Sequence, residues 1–270
     1  MANNGIRTWL VVMASLTAAR PAVAQVRAFP AVEAFEYPIG AGRSSGVTGR
    51  LLAVRRPESR FGREREADVS IGENLPVIGL GGGATPSFLG LTIRVLGRFS
   101  LDDSKSSLIS NDWVVGVHAV TDRGPWRLAL EGYHESSHLG DEYAEKFDVR
   151  RIDWTREVVS LWVRRRIGPV AAHLTGSYTA IDALSLPRGA FGLGVEYRGT
   201  GAIRPVAGVY TESVGYAGWK ATTTARAGVE LEGPRGQVSV SLVYLNGMSP
   251  QRQFYQRRGR YYGFELRFDF

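Results

Sequence analysis

The sequence has no cysteine among its 270 residues, which excludes disulfide bonds and thiolate metal sites. Beyond the N-terminus no stretch reaches the roughly 18–20 apolar residues that a membrane-spanning helix needs. Long helical periodicity is also absent, and apolar residues instead alternate with polar ones along most of the chain after residue 65. Alternating strands average to a soluble-looking composition, so a hydrophobic fraction of 44% is compatible with a membrane β-barrel.

The N-terminus has the features of a secretory signal peptide. Arg7 supplies the positive region, residues 9–16 are the core of a short apolar run, and Ala22-Val23-Ala24 forms an A-x-A cleavage site. We therefore predict that residues 1–24 are removed and that Gln25 begins the mature chain. The apolar run is too short for an anchor, and without a cysteine after the site a lipoprotein is excluded.

Basic residues outnumber acidic ones, with a formal net charge of +7. Two arginines lie in the predicted signal peptide, so the mature chain carries +5. The remaining arginines are scattered through strands and links, with dense runs such as 164–166 and 257–258. This distribution indicates interface and loop charge rather than nucleic-acid binding, and loop arginines would meet the phosphates of lipopolysaccharide.

The C-terminal segment shows the strand pattern most clearly. Apolar side chains alternate there with glycine and charged residues; they are Tyr262, Phe264, Leu266, Phe268 and Phe270. In a membrane barrel the apolar face meets lipid and the charged face lines the lumen. The terminal phenylalanine resembles the signal that barrel-assembly machinery reads in outer-membrane proteins.

The links between strands alternate short and long, as periplasmic turns and outer loops do in barrels. We therefore predict an all-β fold: an antiparallel transmembrane β-barrel of about twelve strands, with ten to fourteen as the range, in the bacterial outer membrane. The barrel would occupy residues 48–270, with its first strands near 48–56 and 66–80. Residues 25–47 would be a leader at the periplasmic mouth or in the lumen. The inward side chains should pair internally and narrow the lumen; they are Arg94, Glu196, Arg226, Glu230, Glu265 and Arg267.

One polar stretch, residues 132–143, stands out. The alternation from Trp126 onward places His134, Ser136 and His138 on the lipid-facing side. Eight residues at about 3.3 Å each, tilted by about 40°, put His134 roughly 20 Å above Trp126. That depth is close to the acyl ester bonds of the outer leaflet.

This arrangement predicts acyl-ester hydrolysis. His134 would accept the hydroxyl proton of Ser136, and Ser136 would attack an ester carbonyl. Asp153 or Thr155, on the next strand, would hold the imidazole tautomer. In the loop between these strands, Asp141 and Glu142 would bind a hard cation such as calcium.

The His134-Glu135-Ser136 motif, with Asp153-Trp154-Thr155-Arg156 opening the next strand, resembles the outer-membrane phospholipase A family over about 25 residues. The resemblance implies a twelve-stranded barrel, a lipid-facing Ser-His-Asn triad, calcium dependence and activation by homodimerisation. His134 and Ser136 match the family residue by residue. Thr155 stands where the family has asparagine, and Ser137-His138 stands where it has Asn-Gly.

The longer run from His134 to Glu142 is similar to a bacterial family of outer-membrane proteins whose domain has no assigned function. This likeness extends from about Ile109 through the strand near 156–163. It supports the barrel and implies no activity.

Other interpretations remain open. Histidine and serine at a barrel rim are often interfacial polar residues, or part of a cation or lipid site. The barrel as a whole could also be a narrow pore, or a structural or adhesive protein that binds partners through residues 247–260.

Overall fold

The computed structural model describes residues 26–43, 45–61, 65–81, 87–233 and 236–269. The predicted signal peptide and Phe270 lie outside the described residues. No helix among these residues is long and apolar enough to cross a membrane.

Twelve long strands form the wall: β2 (Val47–Arg56), β3 (Arg65–Leu80), β4 (Ser87–Ser100), β5 (Leu108–Arg123), β6 (Trp126–Leu139), β7 (Trp154–Ile167), β8 (Val170–Asp182), β9 (Gly189–Arg198), β10 (Ile203–Val214), β11 (Ala221–Gly233), β12 (Gly236–Met248) and β13 (Arg258–Asp269). A short strand, β1 (Val26–Ala28), precedes them. Between β6 and β7 lies one helix, α1 (Asp141–Phe147), and single 3₁₀ turns occupy Gly215–Ala217 and Arg252–Phe254.

The wall closes on itself. Each long strand pairs antiparallel with its neighbour in the chain, and β13 pairs with β2. The predicted barrel and its strand number are thus confirmed, including the first two strands. Proline in β3 interrupts the ladder, because Pro76 cannot donate a backbone hydrogen bond, and the register with β4 shifts between Pro76 and Ile78.

Outward side chains are mainly apolar and inward ones mainly polar or charged. All six predicted lumen residues are buried. Glu265 shows how they pair: its carboxylate lies 2.6 Å from Arg50 Nε and 3.1 Å from Arg226 Nε. The prediction of internal charge pairing is confirmed, since a buried charge is tolerated only with a partner.

The segment before β2 begins at the wall, where β1 pairs antiparallel with residues 78–80 of β3, and residues 35–43 then run through the lumen. Phe29 N donates to Val77 O at 2.8 Å beside the end of β3, and Asn74 Nδ2 donates to Phe35 O at 2.8 Å. Farther along, Ile39 N donates to the Glu196 carboxylate at 2.8 Å. Tyr37 and Phe35 pack against inward side chains of the wall; these are Phe88, Val120, Ala129 and Trp162.

The outer loops form a cap over the end of the barrel that lies opposite the short turns. Tyr143 of α1 is fully buried and packs against Phe254, with a ring-centroid distance of 5.6 Å. Ile109 and Leu139, from the ends of β5 and β6, complete this apolar cluster. The cap and the lumen segment together narrow the lumen from both ends and leave between them a cavity of about 130 Å³.

Candidate active site

Strand β6 sets the direction of the site residues. Its outer end alternates between inward Glu135 and Ser137, each 3% exposed, and outward His134 and Ser136. The His134 side chain is 40% exposed on the outer wall. Both side chains therefore lie on the outer face of the wall, as the alternation along β6 predicts.

Glu135, between the two outward residues, anchors this end of β6 to the lumen. Its carboxylate accepts hydrogen bonds from Arg43 Nη1 at 2.5 Å, Arg252 Nε at 2.9 Å and Trp154 Nε1 at 3.1 Å. The three donors come from the lumen segment, the outer cap and β7. Because successive strand residues point to opposite faces, fixing Glu135 inward fixes His134 and Ser136 outward.

On the outer face, His134 meets a carboxylate of the neighbouring strand. His134 pairs in register with Glu157 of β7, and its Nδ1 lies 2.7 Å from Glu157 Oε1. A carboxylate at Nδ1 holds the ring proton there and leaves Nε2 as the hydrogen-bond acceptor. Glu157 has the same alternation parity as Asp153 and Thr155, but the sequence alone did not indicate a role for it.

Ser136 lies two residues from His134 on the same face. Its cross-strand partners are Trp113 of β5 and Thr155 of β7. The Thr155 hydroxyl donates to Asp153 at 3.2 Å. Asp153 and Thr155 therefore share the surface of the predicted site, while the carboxylate hydrogen-bonded to His134 Nδ1 is that of Glu157.

Asp141 and Glu142 lie in the first turn of α1, and both are exposed. Asp141 forms an ion pair with Arg151. Among the described residues, no group of three or more histidine, aspartate or glutamate side chains could hold a metal ion. The calcium site stays a prediction.

Apolar side chains of the wall surround His134 and Ser136 on the side that faces the membrane core. Val115 is the β5 partner of His134, and Val159 is the β7 partner of Gly132. A Cβ atom added to Gly132 would meet nothing within 4 Å, so the outer surface directly below His134 is open. Trp113, 50% exposed, flanks Ser136. The polar pair thus borders a surface suited to an acyl chain.

Comparison with known families adds one decisive match. The profile of the family described as "Protein of unknown function (DUF1207)" matches residues 53–270. The chain belongs to this family. No curated protein matches the sequence significantly.

Solved outer-membrane proteins share the fold of the DUF1207 barrel. The outer membrane phospholipase A of Escherichia coli has 13% sequence identity and a TM-score of 0.58, over 86% of this chain and 94% of that one. The Salmonella typhi outer membrane phospholipase, solved as a dimer with bound calcium, has 14% identity and a TM-score of 0.58, over 86% and 92%. At this identity the likeness shows the fold alone, an outer-membrane-type β-barrel. Both resemblances seen in the sequence are thereby confirmed.

Proposed function

We propose that this DUF1207 barrel is a serine hydrolase that cleaves acyl esters of outer-leaflet lipids. The observation that carries the proposal is the hydrogen bond between His134 Nδ1 and Glu157, on the lipid-facing wall and beside Ser136. A histidine that is hydrogen-bonded to a carboxylate and lies beside a serine has no role in a purely structural wall. A hydrolase needs this combination at the depth of the ester bonds.

The reaction follows from the roles of the three side chains. His134 Nε2 accepts the proton of Ser136 Oγ as that oxygen bonds to the ester carbonyl carbon. The tetrahedral intermediate collapses, the ester C–O bond breaks, and His134 returns the proton to the departing alcohol. Water, activated in the same way, then cleaves the acyl-serine and releases a fatty acid. Glu157 keeps the imidazole in position and stabilises its protonated form.

The predicted calcium ion enters no step of this mechanism. Asp141 and Glu142 offer oxygen ligands of the kind that calcium prefers. They lie on the outer cap, where a bound cation would raise the local positive potential. Whether a cation assists is tested by activity with calcium and with a chelator.

The narrowed lumen disfavours the alternative of a pore. The lumen segment is hydrogen-bonded to the wall at Asn74 and Glu196, and its Arg43 pairs with both Asp112 and Glu135. The adhesive alternative rests on residues 247–260, which form part of the outer cap. Recognition of β13 by the assembly machinery, contact with lipopolysaccharide and a homodimer stay predictions.

Hydrolysis of phospholipid in mixed micelles by the refolded barrel tests the proposal. Ser136→Ala and His134→Ala should abolish fatty-acid release, while Ser137→Ala, the inward neighbour, serves as the matched control. Heat-modifiable migration on gels confirms that each variant folds. Equal release by wild type and the first two variants, or no release with either calcium or chelator, would refute the hydrolase.

A further inference from the structure

An arginine cluster lies at the end of the barrel with the two-residue turns, where β5, β6 and β7 meet. Arg123 pairs in register with Trp126, and Trp126 with Arg165. All three side chains are on the outer face and exposed. The Arg165 guanidinium lies over the Trp126 ring, 5.1 Å from its centroid, which orients both groups.

The depth of this cluster is defined by its neighbours. Leu128 and Leu130, next along the outward face of β6, belong to the apolar band, and Trp126 ends that band. Tryptophan prefers the level of the lipid headgroups. Short turns face the periplasm in outer-membrane barrels, so the adjacent leaflet is the inner one, built of phospholipid.

A polar pocket of about 480 Å³ adjoins the cluster at the rim. Inside it, the Glu33 carboxylate of the lumen segment lies 2.9 Å from Arg164, 3.1 Å from Arg127 and 3.6 Å from Arg166. Three guanidinium groups thus converge on one carboxylate that is itself 44% exposed. Asp122, paired with Arg127 at 2.7 Å, is the other acidic side chain lining the pocket.

Positive charge exceeds negative charge at this rim. The cluster and the pocket together contain two carboxylates, those of Glu33 and Asp122, and five arginines. The arginines are Arg123, Arg127, Arg164, Arg165 and Arg166. Guanidinium groups bind phosphate and carboxylate through the same paired hydrogen bonds. Glu33 therefore shows that the site accepts an oxyanion, and the outward arginines remain available to a second one.

We propose that this rim binds the headgroup of an anionic phospholipid of the inner leaflet, with phosphatidylglycerol as the chemical type. Its phosphate lies between Arg123 and Arg165 beside the Trp126 ring, and its headgroup reaches toward Arg166. Its acyl chains lie along Leu128 and the apolar wall above. A second copy of the chain fits poorly, because two-fold packing would bring the arginines of both copies together.

Native mass spectrometry of the refolded barrel, titrated with phosphatidylglycerol or phosphatidylcholine of identical acyl chains, tests this site. Wild type should bind phosphatidylglycerol roughly tenfold more tightly, the effect of one charge-assisted contact. Arg123→Gln with Arg165→Gln should remove that preference. The control pair Arg55→Gln with Arg260→Gln, which removes the same charge at the other end of the wall, should keep it.

A second variant keeps the test decisive if the double variant fails to fold. Glu33→Gln frees the pocket arginines and should strengthen phosphatidylglycerol binding several-fold. Equal affinity of wild type for both lipids, equal loss in the control pair, or an unchanged affinity in Glu33→Gln would each overturn the proposal. None of these outcomes depends on the hydrolase.

Discussion

His134 Nδ1 lies 2.7 Å from Glu157 Oε1 across the β6–β7 pair, and both side chains are about two-fifths exposed on the outer wall. The bond joins two strands at the same height, so it positions the imidazole without any loop. In a Ser-His-acid arrangement the acid fixes the tautomer and stabilises the imidazolium. Glu157, rather than Asp153 or Thr155, is placed for that role.

Replacing Glu157 by glutamine should therefore lower the rate of fatty-acid release by about 10²-fold or more, because an amide can present its donor group to Nδ1 and favour the wrong tautomer. The effect should fall mainly on kcat, since Glu157 contacts the histidine rather than the ester. Asp153→Asn, in the residue that immediately precedes β7, is the matched control and should stay within about threefold of wild type. If Asp153→Asn lowered the rate of fatty-acid release more than Glu157→Gln did, the orienting role would belong to Asp153.

The lumen segment should contribute to stability through one buried ring. Phe35 is 3% exposed, with ring centroids of Tyr37 and Trp162 at 4.9 and 5.9 Å. Phe35→Ala should lower the free energy of unfolding by about 3–5 kcal/mol. Phe29→Ala, in the same segment but 78% exposed, should change it by no more than about 0.5 kcal/mol. Urea unfolding in detergent micelles measures both, and equal losses would show that the segment does not pack in the lumen.

Two glycines on adjacent strands should respond differently to alanine. A Cβ on Gly116 would lie 2.4 Å from the Gly132 carbonyl oxygen and 2.6 Å from Tyr133 Cβ, whereas a Cβ on Gly132 would meet nothing within 4 Å. Gly116→Ala should cost about 1–3 kcal/mol of unfolding free energy, since backbone must move. Gly132→Ala should be neutral or slightly stabilising, because glycine weakens a strand. The same urea unfolding assay measures both variants. An unchanged free energy of unfolding in Gly116→Ala would contradict the close approach of β5 and β6.

Glu58, in the outer link between β2 and β3, should make the stability of the folded chain depend on pH. It is 3% exposed, and its Oε2 accepts from Ser249 at 2.9 Å and Gln251 at 2.6 Å. Burial raises the pKa of Glu58, outweighing the attraction of the Arg98 guanidinium. The folded chain thus holds this proton more tightly than the unfolded chain.

The direction of the pH dependence follows from this difference in proton affinity between the folded and unfolded chains. The stabilisation by Glu58 is complete below the ordinary glutamate pKa and is lost as the pH rises through the raised value. Glu58→Gln should remove this slope and increase the urea midpoint at neutral pH. Exposed Glu142→Gln is the control and should follow wild type. Parallel pH profiles for wild type and Glu58→Gln would contradict a raised pKa.

Much of the fold could be predicted because the relevant signal is local. Alternation along segments such as 262–268 shows which face is apolar, and the lengths of the links show which end has the loops. The path of residues 29–43 could not be predicted, since their partners, Asn74, Glu196 and Glu135, lie on distant strands.

The candidate site was only partly predictable for a related reason. The face of His134 and Ser136 follows from alternation within β6 alone. Their partner on β7 depends on the register across a link that contains α1, and no sequence pattern fixes that register. The observed register places Glu157, rather than Asp153 or Thr155, opposite His134.

Covalent labelling of Ser136 tests the central claim most directly. A serine hydrolase activates one hydroxyl, so an alkyl fluorophosphonate should modify the refolded barrel at a single serine. Peptide mass spectrometry should find the adduct on Ser136, and His134→Ala should abolish it while Ser137→Ala retains it. An unlabelled Ser136 in folded wild type, or labelling that persists without His134, would contradict a lipid-facing catalytic serine.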